Sequence, residues 1–215
     1  IFVRVPFVCH GNVSALCHRT RDLLCSAAFR TKREKSGCTD HAVVVAGGLR
    51  DHRATAVGQL LTGGRWLSIA PMSVPRHLAA SVVFNNEMHV LGGTDQHDTP
   101  LRSVERWCPE MKAWRACPCL LRPRKGPVAG VVGDSLVVAG GSTGGRLASA
   151  EAFSPATGWT SLPLMPHAAF LATAVVLGGR LYVAGGMSCD KLQMWDGTAW
   201  TLKADLPAER FGAAS

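Results

Sequence analysis

Apolar and polar positions fall in one recurring order along this chain. An apolar run is followed by a two-residue turn and a second apolar run ending in Gly-Gly. Then come a polar loop, an alternating segment and a last strand opened by tryptophan. The paired apolar runs are Ala79–Val83 with Met88–Leu91, Val128–Val132 with Leu136–Ala139, and Ala172–Val176 with Leu181–Ala184. The turns between them are Asn85-Asn86, Gly133-Asp134 and Gly178-Gly179. Two apolar runs across such a turn predict a β-hairpin, and near-continuous apolarity in both arms predicts burial on both faces. An earlier run, Val43–Ala46, also ends in Gly-Gly, so the pairs lie at 47–48, 92–93, 140–141 and 185–186. Their second members are 45, 48 and 45 residues apart, a period that signals a repeat architecture.

After each polar loop the alternating segments are Ser103–Trp107, Ser149–Phe153 and Leu192–Trp195, and Trp114, Trp159 and Trp200 open the last strands, with Trp66 in the first unit. Each unit closes on a proline-containing link. Four strands per unit with essentially no helix read as blades of a β-propeller. The strand carrying the glycine pair is expected near a crowded central axis, where a Cβ would clash. The aromatic pairs Trp107/Trp114, Phe153/Trp159 and Trp195/Trp200 are expected to fill the wedges between blades. In the first unit Thr55–Leu61 stands where the third strand belongs, which predicts an irregular strand there, and no opening strand is evident.

At 47% hydrophobic and 18% charged residues, the composition is that of a globular chain. No apolar run approaches the roughly 18 residues needed to cross a bilayer as a helix, so no membrane partner is expected. The net charge is +8, and residues 1–40 hold seven basic and three acidic residues. The remaining excess is mild and lacks interleaved aromatics, which argues against nucleic acid. Eight cysteines show no CxxC spacing and read as free thiols in a reducing compartment. Neither cofactor nor metal is implied.

The glycine pair after an apolar strand, the Glu-x-aromatic of Glu105–Trp107 and Glu151–Phe153, and the tryptophan that follows resemble kelch repeats over residues 41–215. The segments Ser103–Trp107, Glu151–Phe153 and Pro71–Arg76 are most like kelch-like adaptors with an upstream BTB domain. The family's usual tyrosine after the glutamate is replaced by Trp107 and Phe153, with Trp195 in the fourth unit. Residues 1–36 read differently: an extended piece at Val3–Phe7, a short helix over Arg21–Phe29 and a charged linker from Arg30. They resemble the end of a helical BACK domain. The expected fold is therefore all-β: a partial kelch-type β-propeller of about four four-stranded blades over 37–215, with a short N-terminal helical segment. Family propellers close with six blades, so a fragment or shortened form, marginal by itself, is expected.

Propeller function sits in loops at the ends of the channel. Two loop sets qualify. One follows the glycine pairs and carries Arg50, Asp51, His52 and Arg53, then Asp95, Gln96 and His97, then Thr143 and Arg146, then Asp190 and Lys191. The other links blades and carries Arg76 and His77, Arg122 to Lys125, His167 and Arg210. Arg and His suit acidic or backbone groups and Asp suits basic ones. A metal or acid–base site at Asp51, His52, Asp95, His97 and Asp98 lacks ligand spacing. Tyr182, the single tyrosine, lies in an apolar strand and does not suggest the family's copper–tyrosine oxidase chemistry.

The resemblance implies a protein-interaction module with no catalytic residues: the substrate-recognition part of a cullin-RING ubiquitin-ligase adaptor. Its partner would be a target protein or degron peptide on the rim, and the cullin would be reached only through a BTB domain. The alternative is a cytoskeletal or scaffold kelch protein. A cytoplasmic location is expected, with the nucleus as the alternative.

Overall fold

A computed structural model describes residues 2–6, 41–62, 65–109 and 111–212. They form four antiparallel four-stranded sheets. The first contains β1 (Phe2–Pro6), β2 (His41–Ala46), β5 (Gly58–Thr62) and β6 (Arg65–Ile69), with a small hairpin of β3 (Leu49–Arg50) and β4 (Arg53–Ala54) beside it. The second is β7 (Ala80–Phe84), β8 (Glu87–Leu91), β9 (Val104–Cys108) and β10 (Ala113–Cys117). The third is β11 (Val128–Val132), β12 (Ser135–Ala139), β13 (Ala150–Ser154) and β14 (Gly158–Leu162). The fourth is β15 (Thr173–Leu177), β16 (Arg180–Ala184), β17 (Lys191–Trp195) and β18 (Trp200–Asp205). Strand order within each sheet follows the chain, and no helix occurs among the described residues.

The first two strands of each later sheet close through the expected turns. Asn85 and Asn86 take φ of 50° and 64°, and Gly178 and Gly179 take 57° and 72°. Positive φ at both central residues matches the right-handed twist of the flanking strands, which is why Asn and Gly occupy them.

Three expectations change. The first sheet has an opening strand, because Phe2–Pro6 pairs with His41–Ala46 from Phe2↔Val45 to Pro6↔His41. Its third strand is regular, in register from Val43↔Leu61 to Ala46↔Gly58. The missing Glu-x-aromatic cost it a signature, not the backbone pairing that any extended segment can make. Finally, the strands nearest the axis are the opening ones: β1 touches β7, β7 touches β11 and β11 touches β15. The glycine-bearing strands lie one place further out, and the fourth strands are the most exposed. The helix expected over residues 21–29 lies outside the described residues.

The core is the set of inter-sheet wedges. Val44 and Ala46 meet Met88, Val90 and Trp107 between sheets one and two. Phe84, Leu91 and Val104 meet Leu136 and Val138 between sheets two and three. Val137 and Ala139 meet Leu181, Val183 and Trp195 between sheets three and four. The aromatic pairs are direct cross-strand neighbours, with ring centroids 5.6 Å apart for Trp107/Trp114 and 5.4 Å for both Phe153/Trp159 and Trp195/Trp200. Trp114 and Trp159 donate their indole N–H to Ala70 O and Pro118 O, each at 2.8 Å, tying each sheet to the link before it.

The glycine pairs join one sheet to the link that opens the next. The N–H of Gly48, Gly93, Gly141 and Gly186 donates to the carbonyl of Arg76, Arg124, Ala169 and Arg210 at 2.7–2.8 Å. A Cβ on the first glycine of each pair would lie 2.2–2.6 Å from that same oxygen. No other residue allows both the approach and the positive φ.

Arg76 and Arg124 themselves are buried, at 1% and 0% exposure. Arg124 donates to Gly140 O (2.6 Å), Ser149 O (2.8 Å) and Glu151 Oε1 (2.7 and 3.0 Å), and Glu151 also accepts from the backbone N–H of Leu121 (2.6 Å). Arg76 and Glu105 repeat the arrangement one sheet earlier. Burial lowers the pKa of both arginines, and the facing carboxylates pull the other way. The corresponding positions in the fourth sheet are Ala169 and Gln193. With no cation there, the neutral Gln193 accepts from His167 N (2.7 Å) and donates to His167 O (3.1 Å).

Candidate functional site: the loop rim

These clamps gather the loops after the glycine pairs and the inter-sheet links at one end of the sheets. His77 and Thr94 exchange backbone hydrogen bonds, as do Lys125 and Ser142 one sheet later, and Met187 donates to Phe170 O in the fourth. Sheets two to four thus present the entry residue beside the residue that leaves the glycine pair, which places His77 and Lys125 at equivalent rim positions.

The sequence-predicted residues divide into groups. Arg146, His167, Asp190 and Lys191 come together, lining with Ser188 and Cys189 a polar cavity of about 210 Å³ between sheets three and four. Arg146 crosses to the next sheet and donates to Met187 O (2.8 Å) and Ser188 O (3.1 Å). Lys191 lies between Asp190 (3.1 Å) and Asp205 (2.9 Å), and hydrogen bonding to these carboxylates, Asp205 foremost, raises its pKa. His167 is exposed and held through its backbone by Gln193.

A second group joins sheets two and three. Lys125 reaches Asp98 at 2.5 Å, and this hydrogen bond holds the Asp98 carboxyl below its usual range. Asp95 is committed to its own loop, accepting from the backbone N–H of His97 (2.8 Å) and Thr99 (2.9 Å). Gln96 and His97 contact each other at 3.0 Å and remain exposed, as does Thr143. Arg50, Asp51, His52 and Arg53 form the exposed β3–β4 hairpin, with Asp51 and His52 at positive φ. Arg210 offers its carbonyl to Gly186, and the residue is exposed.

Two link residues are not available to a ligand. Arg76 and Arg124, counted with the rim from sequence, are buried in the Glu105 and Glu151 clamps. The spacing to those glutamates, 29 and 27 residues, is a tertiary relation that local sequence does not expose. Asp205 is a partner of Lys191 that the sequence reading left out of the site. Among the described residues no group of three or more His, Cys, Asp and Glu could hold a metal ion, and no helix is long and apolar enough to cross a membrane.

Residues 75–121 and 123–166, which hold the second sheet with its link and the third with its link, each match the sequence profile of the Kelch motif. The chain carries kelch repeats over these residues. It is 36% identical over 92 residues to Kelch-like protein 33 of Homo sapiens, covering 42% of this chain and 17% of that protein. It is 28% identical over 153 residues to Kelch-like protein 25 of Xenopus tropicalis, covering 66% of this chain and 26% of that protein. The kelch chain therefore spans 17% and 26% of the lengths of these relatives. The structure of YjhT matches with a TM-score of 0.66 over 79% of this chain and 64% of that one, at 16% identity, and so shares the fold. The kelch sheets are blades of a β-propeller, and kelch repeats indicate a protein-interaction module.

Proposed function

We propose that the rim is the target-recognition surface of an adaptor of the BTB-kelch type, coupling a bound polypeptide to a cullin-RING ubiquitin ligase. The observation that carries the reading is the cavity between the third and fourth blades. It gathers Arg146, His167, Asp190 and Lys191 at one edge, where cationic, anionic and backbone groups can engage an extended peptide. The likeness to two kelch-like proteins supports the adaptor part of the proposal. The cullin contact would lie outside the kelch blades, and a cytoplasmic site of action fits this role.

The test is cross-linking mass spectrometry on the full-length protein in cells, comparing wild type with Arg146→Ala/Lys191→Ala. Target cross-links should map to the loops around Ser188 and His167 and fall in the variant, while co-purifying cullin is retained. Cross-links that avoid the rim would refute the recognition surface, and absence of any cullin would refute the ligase coupling.

A further inference from the structure

The wedge between the second and third blades is not fully packed. It contains a cavity of about 310 Å³, walled by Phe84, Leu136, Phe153 and Trp159, with His89 and Arg106 among its polar residues. It shares no residue with the loops after the glycine pairs. Its volume lies at the lower end of small-ligand sites, which begin at roughly 300 Å³, so it suits one ring system.

Two residues of the cavity wall differ from their counterparts in other blades. His89 stands three residues before its glycine pair, where the first and third blades have Val44 and Val137, both buried in wedge cores. Arg106 stands where the third blade has Ala152, directly after the clamp glutamate. Its guanidinium turns to Glu87, with which it forms an ion pair.

His89 is fixed within this wall. Its ring packs edge-on to Phe84, with centroids 5.8 Å apart, and its Nδ1–H donates to Glu87 O at 3.0 Å. That bond selects the tautomer in which Nε2 is a bare acceptor. Burial lowers the pKa and keeps the ring neutral near pH 7. The Nε2 has no hydrogen-bond partner among the described residues.

We infer that this inter-blade cavity binds a flat aromatic group bearing an N–H or O–H donor, such as an indole or a phenol, with the donor delivered to His89 Nε2 and the ring lying against the wall formed by Phe84, Phe153 and Trp159. Aromatic walls favour stacked and edge-on rings. An unpartnered acceptor on a cavity wall favours a ligand that satisfies it over one of equal shape that does not. The site is independent of the rim and of the adaptor reading.

The test titrates the protein with indole and with 1-methylindole, followed by ligand NMR and by the ring protons of His89, which His89→Val assigns by their loss. Indole should bind and shift the His89 ring, and 1-methylindole should bind on the order of fivefold more weakly. His89→Val, the side chain of the first and third blades, should abolish that preference. N-acetyltryptophanamide binding alongside indole assigns the ligand to a polypeptide side chain, and indole binding alone assigns it to a free small molecule; both support the site. No indole binding, or equal binding of the two indoles to wild type, overturns the inference, and the wild-type comparison decides even if the variant does not fold.

Discussion

The buried Arg124–Glu151 clamp gives a sharp prediction, because the chain carries its own rewritten version. Arg124→Ala would leave the Glu151 carboxylate, 2% exposed, with only backbone donors, Leu121 N at 2.6 Å and Arg122 N at 3.3 Å. It would also strip the carbonyls of Gly140 and Ser149 of their guanidinium donor. Removing one partner of a buried ion pair costs about 3–5 kcal/mol. Between the third and fourth blades the same two positions are Ala169 and Gln193, and the neutral amide satisfies His167 N and His167 O instead. The double variant Arg124→Ala/Glu151→Gln copies that solution, so it should recover about 1–3 kcal/mol of the loss. The assay is urea unfolding of wild type, both single variants and the double, read by tryptophan fluorescence and circular dichroism. The reasoning is refuted if Arg124→Ala costs under about 1 kcal/mol. Strict additivity of the two single losses would refute it as well.

Three further predictions follow from local geometry. Gly140→Ala should cost about 3 kcal/mol or more, because φ is +68° and the new Cβ would lie 2.2 Å from Ala169 O; Gly144→Ala, at φ +92° with open space, should cost about 1 kcal/mol, and melting temperatures compare them. His89 is held below its ordinary pKa by burial, against the pull of Glu87 and with the Arg106 charge adding to the shift. The unfolded chain therefore takes up this proton first as pH falls through about 6.5, so stability should decline below that pH; His89→Val should flatten the decline, measured by denaturation between pH 7.5 and 5. Asp196 accepts from Ala199 N, Thr198 Oγ1 and Thr198 N, which lowers its pKa to about 2. Its contribution to stability should be complete above the unfolded value near 4 and vanish as pH falls through about 2, and a carboxyl NMR titration midpoint near 4 would contradict this.

The sequence by itself determined the repeat, the hairpins and the rim. Asn85-Asn86 and Gly178-Gly179 encode turns through φ preferences that act locally, and apolar strands read by alternation because the side-chain period is fixed by the backbone. The glycine pairs were legible as sites of close approach, although what approaches them, the carbonyls of Arg76, Arg124, Ala169 and Arg210, was not. Only the tertiary structure decided which charged residues are free. Arg124 and Lys125 are neighbours in the chain, yet one is sealed against Glu151 and the other reaches Asp98 on the rim. It also decided that Phe2–Pro6 joins the first blade and that His89 lines a cavity while Val44 and Val137 pack into wedge cores. Those outcomes depend on which strands from distant segments meet, and an isolated segment carries no energy term for a partner it has not yet met.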